Sequence, residues 1–521
     1  MNVELYDTTL RDGAQQAGLS YTIEDRLRIL HKLDQLGLPY VEGGWPGANP
    51  RDTEFFELAT KERLEHATLT AFGMTRKAGE RPEESAMLRD LLDAGTEVVC
   101  LVGKSWDLHV TDALRTTLDE GVAMVRDSIA FLRSEGRRVF FDAEHFFDGY
   151  AANPGFATSV LAAAEEAGAE RIVLCDTNGG MLSPDVSRVV DKVRGLVGAP
   201  LGIHVHNDTG CAVANSLVAV EHGVFQVQGT INGYGERTGN ADLVPIAANL
   251  ALKMGVDCLP EGAVARLTEV AHYVAEVANV APHSQQPYAG RYAFTHKGGL
   301  HSSGVSRFTE AYEHVPPESV GNHRGVVASD LGGAATLRMK AAEFGLDLSD
   351  QAIPGLLAEL KDREKRGYTF EVADASLELL MRRHDGWRQP FFEIESYRVH
   401  VEQRDKEEAL AEATVKVVAQ GRRHIESAEG HGPVGALDNA LRKALGNEYP
   451  QLEEMTLEDY RVRVLEETLG TGAVVRVLID TSDGEREWTT VGVSDNIIEA
   501  SWEALTDAYL YGLLHPREPA E

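Results

Sequence analysis

The segment 201–208, LGIHVHND, carries two histidines two positions apart, His204 and His206. Alternate side chains of a β-strand share a face, so both imidazoles would point one way and Val205 the other. Two neutral imidazoles converging at a strand end can hold a divalent metal. Two histidines that merely share a face are the plainer reading of so short a motif. Two further segments supply oxygen ligands: Asp12 in DTTLRDG (7–13), and Asn240 closing GERTGN (235–240). One carboxylate, two imidazoles and one amide carbonyl, without thiolate, suit Mg²⁺, Mn²⁺ or Zn²⁺. Arg11, beside Asp12, suits negative charge developing on oxygen, or equally a salt bridge to a neighbouring strand end.

These residues can meet only if the chain brings three distant segments together. Eight short apolar runs stand in the first half, at 3–9, 38–45, 68–74, 97–105, 137–146, 171–178, 201–208 and 224–233. Amphipathic stretches lie between them, among them 23–36, 83–94, 122–134, 154–167, 184–196, 210–222 and 241–254. Eight strand–helix units of this length predict a (β/α)8 TIM barrel. A doubly wound open sheet competes, but no G-x-G-x-x-G follows the first run. In a barrel, chemistry sits where strands end, and strands one, seven and eight become neighbours on closure. Six of the runs end in polar residues: Asp7–Gly13, Glu42–Gly44, Asp142–His145, Asp176–Gly179, His204–Asp208 and Asn232–Asn240. With four protein ligands, an octahedral metal keeps positions for a chelating 2-oxo acid, whose ketone it would polarise.

The chain has 521 residues, enough for several domains. Its formal net charge of −32 argues against non-specific binding to nucleic acid or to acidic membrane surfaces. An anionic substrate therefore needs a local basic pocket. Cys100, Cys175, Cys211 and Cys258 are far apart and form no C-x-x-C pair, which fits reduced thiols. No signal-peptide pattern opens the chain and no apolar run approaches membrane-spanning length, so the expected location is the cytoplasm.

DTTLRDG near the N-terminus, HVHND on the seventh run and GERTGN after the eighth resemble the acyl-CoA Claisen-condensing enzymes of the DRE-TIM metallolyase superfamily. These include 2-isopropylmalate, homocitrate and citramalate synthases. Within that group, DAEHFFDGY (142–150), CDTNGG (175–180), HKGGLHSSGV (296–305) and YEHVPPESVGN (312–322) are most similar to the citramalate synthases. The resemblance implies that Asp12, His204, His206 and Asn240 are metal ligands and that Arg11 is the catalytic arginine. It implies that Glu144 and Thr177 lie near the 2-oxo acid, that Glu236 orients the site, and that Glu42 belongs to its inner shell. His301 and Tyr312 match the His and Tyr that the family brings in from beyond the barrel, His301 as base and Tyr312 as acid or hydrogen-bond donor. The chain departs from its relatives at Ala14, where many carry a glutamate. The implied reaction joins acetyl-CoA to pyruvate and hydrolyses the thioester to citramalate and CoA. Trp45, Phe140 and Phe147 could narrow the pocket to pyruvate, or could be core.

The strand–helix alternation stops near residues 281–287. The expected organisation is a catalytic barrel over 1–280, helical linker subdomains covering the barrel mouth over 281–389, and an α+β domain over 390–521. That last domain holds an internal repeat. Residues 397–401, 413–417 and a helix at 436–445 correspond to residues 460–464, 473–477, 488–493 and a helix at 496–513. Three strands and a helix form the βββα repeat unit. The pattern resembles the C-terminal regulatory domain of 2-isopropylmalate synthase, which implies a homodimer and feedback by a branched-chain end product, isoleucine if the product is citramalate. A purely structural dimerisation module is the alternative. The remaining functional alternatives are the same condensation on another 2-oxo acid, a carbon–carbon lyase on the same barrel, and a non-catalytic amino-acid sensor.

Overall fold

The computed structural model describes residues 2–296, 308, 312–326, 334–403, 409–465 and 473–517. It divides into two compact units, Met1–Phe294 with Val315–Arg324, and Thr295–His314 with Gly325–Glu521.

The first unit is a closed eight-stranded barrel. Its strands are β1 (Glu4–Asp7), β2 (Tyr40–Gly44), β3 (Thr68–Met74), β4 (Val98–Lys104), β5 (Arg138–Glu144), β6 (Arg171–Asp176), β7 (Leu201–Val205) and β8 (Gln226–Gly229). All pair in parallel, and β1 closes the ring against both β2 and β8. The strands are buried on both faces, because helices cover the outside and side chains fill the inside. This explains why they read as apolar runs and not as alternating ones. Tyr6, Tyr40, Phe72, Val98, Cys100, Val102 and Phe140 pack together as one cluster of their own, with Trp45 and Met74 against it. Phe140 lies within that cluster, fully buried. Phe147 is buried with the larger core formed by Phe141, Phe146 and Val125, outside the inner cluster.

The helices follow local rules. Ile23–Leu36 starts on Thr22, whose side chain accepts from the Asp25 amide while the Asp25 carboxylate accepts from the Thr22 amide. It stops at Gly37, in the left-handed conformation. Pro50–Ala59 starts with Asn49 as cap and Pro50 as its first residue, an arrangement that places a proline where its missing N–H costs nothing.

In the second unit, helices Ala334–Glu343, Ala352–Lys365 and Asp374–His384 share a core around Leu356, Leu360 and Leu377. Beyond them the repeat is explicit. Strands Phe392–Glu402, Leu410–Ala419 and Arg422–Gly430 form one antiparallel sheet, followed by helix Gly432–Leu445. Strands Thr456–Val464, Val475–Ser482 and Glu487–Ser494 form a second, followed by helix Ile497–Leu514. Both copies contribute to one apolar core.

Candidate active site

The register of the barrel sets the site. β1 ends at Asp7, whose carboxylate accepts from the Thr9 amide and hydroxyl at 2.9 and 2.8 Å. Burial lifts that carboxyl to about 7, against the pull of those donors. The chain then turns so that Arg11 and Asp12 stand at the strand end. Arg11 Nε donates to Glu42 Oε2 at 2.5 Å and Nη1 to Asp12 Oδ2 at 2.9 Å. Its Cζ lies 3.8 Å over the Phe72 ring. Glu42 is fully buried in the middle of β2 and also accepts from the Tyr6 hydroxyl at 2.8 Å. Burial pushes the Glu42 carboxyl up, opposed by the guanidinium. Burial acts against the Arg11 charge too, but Glu42 and Asp12 outweigh it, so the arginine stays charged.

Across the closure, His204 is the next-to-last residue of β7 and His206 follows the strand. The His204 Nε2 lies 3.4 Å from His206 Nε2 and 3.6 Å from Asp12 Oδ2. Both imidazoles therefore share one side, as the strand period requires. A backbone bridge ties His206 to Asn240, and Asn240 Nδ2 donates to Asp12 Oδ1 at 3.0 Å. Burial lowers both imidazoles, His206 to about 4 with His204 adding to the effect, so both are neutral at pH 7, the form in which an imidazole can bind a metal. Burial would raise Asp12, but Arg11 and the two histidines hold its carboxyl well below the usual range. Two glycines in 235–240 let this loop close. A Cβ on Gly235 would lie 2.2 Å from Asn240 Nδ2, and one on Gly239 would lie 1.9 Å from the Gly233 carbonyl oxygen.

The donor set fits a divalent cation on one specific ground. Asn240 Oδ1 is buried with no hydrogen-bond partner, a state that normally costs free energy. Among the described residues, Asp12, His204 and His206 are the one His/Cys/Asp/Glu group able to gather ligand atoms around a common point.

The other expected site residues are placed as follows. Glu144, at the end of β5, is ion-paired with Lys104 at the end of β4. The Thr177 hydroxyl accepts from the His145 amide at 2.9 Å, and the Thr177 carbonyl accepts from Arg237 at 2.8 Å. Glu236 is exposed, with its carboxylate 3.6 Å from Arg237. Tyr312 is exposed and belongs to the second unit. His301 lies outside the described residues. Ala14 packs against the barrel core. Beside Arg11 opens a cleft of about 660 Å³, lined among others by Leu19, Trp45, Arg26 and Arg51. Trp45 meets Phe72 edge-on with ring centroids 5.6 Å apart. Three contributors had no signal of their own in the sequence: Tyr6, Phe72 and Gln228.

Residues 2–274 match the family model described as HMGL-like, a divalent-metal-dependent family. Residues 289–367 match a homocitrate synthase post-HMGL domain-like model, and residues 371–513 match the LeuA allosteric (dimerisation) domain. An (R)-citramalate synthase of Streptomyces coelicolor is 52% identical over 98% of this chain and 96% of that protein. One of Synechocystis is 51% identical over 98% and 96%, and one of Geobacter sulfurreducens 48% over 100% and 99%. The chain belongs to the (R)-citramalate synthase family. This barrel end is the place where the chain gathers a group able to hold a metal, an arginine and a cleft. The described helices include none long and apolar enough to cross a membrane.

Proposed function

We propose that the protein condenses acetyl-CoA with pyruvate and hydrolyses the thioester, releasing (R)-citramalate and CoA. The observation that carries this reading is the convergence of Asp12, His204, His206 and the unpartnered Asn240 Oδ1 beside Arg11, in a chain half identical to (R)-citramalate synthases along nearly its whole length. A divalent metal held by those four groups, Mn²⁺, Mg²⁺ or Zn²⁺, supplies Lewis-acid polarisation of the ketone. The Arg11 guanidinium faces the charge that develops on oxygen. Its Nε and Nη1 are committed to Glu42 and Asp12, and Nη2 has no hydrogen bond among the described residues. Pre-oriented donors of this kind cost no reorganisation during reaction.

His301 takes a proton from the acetyl methyl group, and the resulting enolate carbon bonds to the ketone carbon of pyruvate. Tyr312 donates a hydrogen bond or a proton to the alkoxide oxygen this forms, which becomes the product hydroxyl. Water then adds to the thioester carbonyl and the CoA thiol leaves. Glu144 and Thr177 contact the 2-oxo acid, Glu42 supports its binding through Arg11, and Glu236 orients the site. The Arg11-lined cleft, with Arg51 on its wall, supplies the local positive charge that an anionic substrate needs in so acidic a chain. The C-terminal repeat forms a homodimer and binds isoleucine as feedback effector, consistent with the LeuA allosteric (dimerisation) match. The reaction is the first step of a pyruvate route to isoleucine, and the protein works in the cytoplasm.

The test is CoA release from acetyl-CoA with pyruvate, 2-oxoisovalerate and 2-oxoglutarate, with and without EDTA. Metal-dependent release favouring pyruvate, inhibited by isoleucine more than leucine, is expected. Preference for 2-oxoisovalerate contradicts the substrate, and no release from folded, metal-loaded protein contradicts the reaction.

A further inference from the structure

Gln228 is fully buried on β8, and the parallel register sets it opposite His204 on β7. Its Nε2 donates to Asp142 Oδ1 at 3.0 Å. Asp142 belongs to β5, a strand not adjacent to β8, so the bond spans the barrel interior. That contact commits the amide. With its nitrogen on the carboxylate, its oxygen faces His204 Nδ1 at 2.9 Å. An amide oxygen only accepts, so Nδ1 carries the ring proton and Nε2 carries the lone pair. Nε2 is the atom turned toward Asp12 and His206. His206 has no equivalent: its Nδ1 is buried with no hydrogen-bond partner. The two histidines of one motif are thus held differently, one through a two-residue chain and the other through its backbone bridge to Asn240.

We infer that Gln228, anchored by Asp142, is a positioning residue that fixes the tautomer and ring plane in which His204 can bind the metal. This rests on the four-ligand reading of the site. A metal-binding imidazole is normally oriented through its second nitrogen, and loss of that partner costs about 10–100-fold in metal affinity. A residue that only fills space would leave affinity untouched.

The experiment is calorimetric titration of Mn²⁺ into the chelator-stripped full chain, for the parent, Gln228→Met and the swapped pair Gln228→Glu with Asp142→Asn. Methionine keeps length and volume but presents no oxygen to Nδ1. Q228M should bind Mn²⁺ about 10–100-fold more weakly, and the swapped pair Q228E/D142N, in which the new amide donates to the new carboxylate and that carboxylate accepts from Nδ1, should return toward parental affinity. Folded Q228M with parental affinity, or folded Q228E/D142N as weak as Q228M, overturns the inference. Should Q228M not fold, Asp142→Leu removes the acceptor that commits the amide. Mn²⁺ binding weakened about tenfold then supports the chain, and unchanged binding overturns it. A parent that binds no Mn²⁺ overturns the four-ligand reading itself, and a parent that binds while Q228M matches it overturns only the role of Gln228.

Discussion

The strand ends of the barrel and the C-terminal repeat are built on opposite terms. In the repeat, Ala411, Ala413, Val415, Val417 and Ala419 present one apolar face of a central strand. They meet Ala436, Leu437, Ala440, Leu441, Ala444 and Leu445 along one stripe of the following helix. Burial of that surface is the stabilising term, and many apolar residues of similar size could supply it. At the barrel end Asp12, Glu42, Asp142, His204 and His206 are all buried. Burying charged or polar groups is costly unless each is paired. One region spends its sequence on stability and the other on chemistry that the rest of the barrel must stabilise.

Substitutions can separate the two. The largest effect is expected from Asp12→Asn, which removes the anion but keeps shape: Mn²⁺ binding is lost, turnover falls at least about 10³-fold, and the circular dichroism spectrum is unchanged. Arg11→Lys comes next. Lysine cannot reach Glu42 and Asp12 as a fork or lie flat on Phe72, so kcat falls about 10²-fold with Mn²⁺ affinity within a few-fold of the parent. A matching loss of metal affinity would mean that Arg11 acts through Asp12 and not on substrate. Leu441→Ala in the repeat should do the reverse, destabilising the second unit by about 2–5 kcal/mol in denaturant titration while turnover without effector stays within a few-fold. A large loss of turnover in folded L441A would break the contrast.

The smallest effect is on pH dependence without metal, and its sign differs between two barrel residues. His206 is held at about 4 against an ordinary 6.5, mainly by burial. The unfolded chain takes up the proton first, so this contribution is full above 6.5 and lost as pH falls toward 4. Asp142 is raised from 3.8 to about 7, by burial and then by Glu42. Here the folded chain holds the proton, so stability is lost as pH rises from about 4 to 7. In EDTA, the parent should lose on the order of 2 kcal/mol relative to His206→Asn between pH 7 and 5. Relative to Asp142→Asn it should gain over the same interval. Melting curves at the two pH values check both signs.

The barrel and the residues that meet at its end were readable in the sequence because strand-end chemistry is local: HxH, an Asp beside an Arg, and an Asn closing a glycine-rich loop can each be seen in a few residues. What it hid is long-range. Gln228 in VFQVQGTING looks like any polar strand residue, and its partner Asp142 is 86 residues away. The Arg11 cradle of Glu42, Tyr6 and Phe72 comes from three strands, and only their side-by-side pairing assembles it. The strand 422–430 escapes naming because its residues alternate between partly and fully exposed, with Ile425 half exposed, so no apolar period marks it. Glu236 is the reverse case, a residue whose motif shows in the sequence while its placement does not. Its motif is readable, but the backbone of the next residue, Arg237, takes a positive φ of 57°, and the Glu236 side chain itself is exposed.

The most direct measurement is anomalous X-ray scattering near the manganese edge from crystals of the full chain grown with Mn²⁺. One strong peak is predicted, within bonding distance of the Asp12 carboxylate, Nε2 of His204 and His206, and Asn240 Oδ1. A peak elsewhere, or none at saturating Mn²⁺ with these four side chains bonded only to one another, would contradict the metal centre on which the proposed chemistry depends.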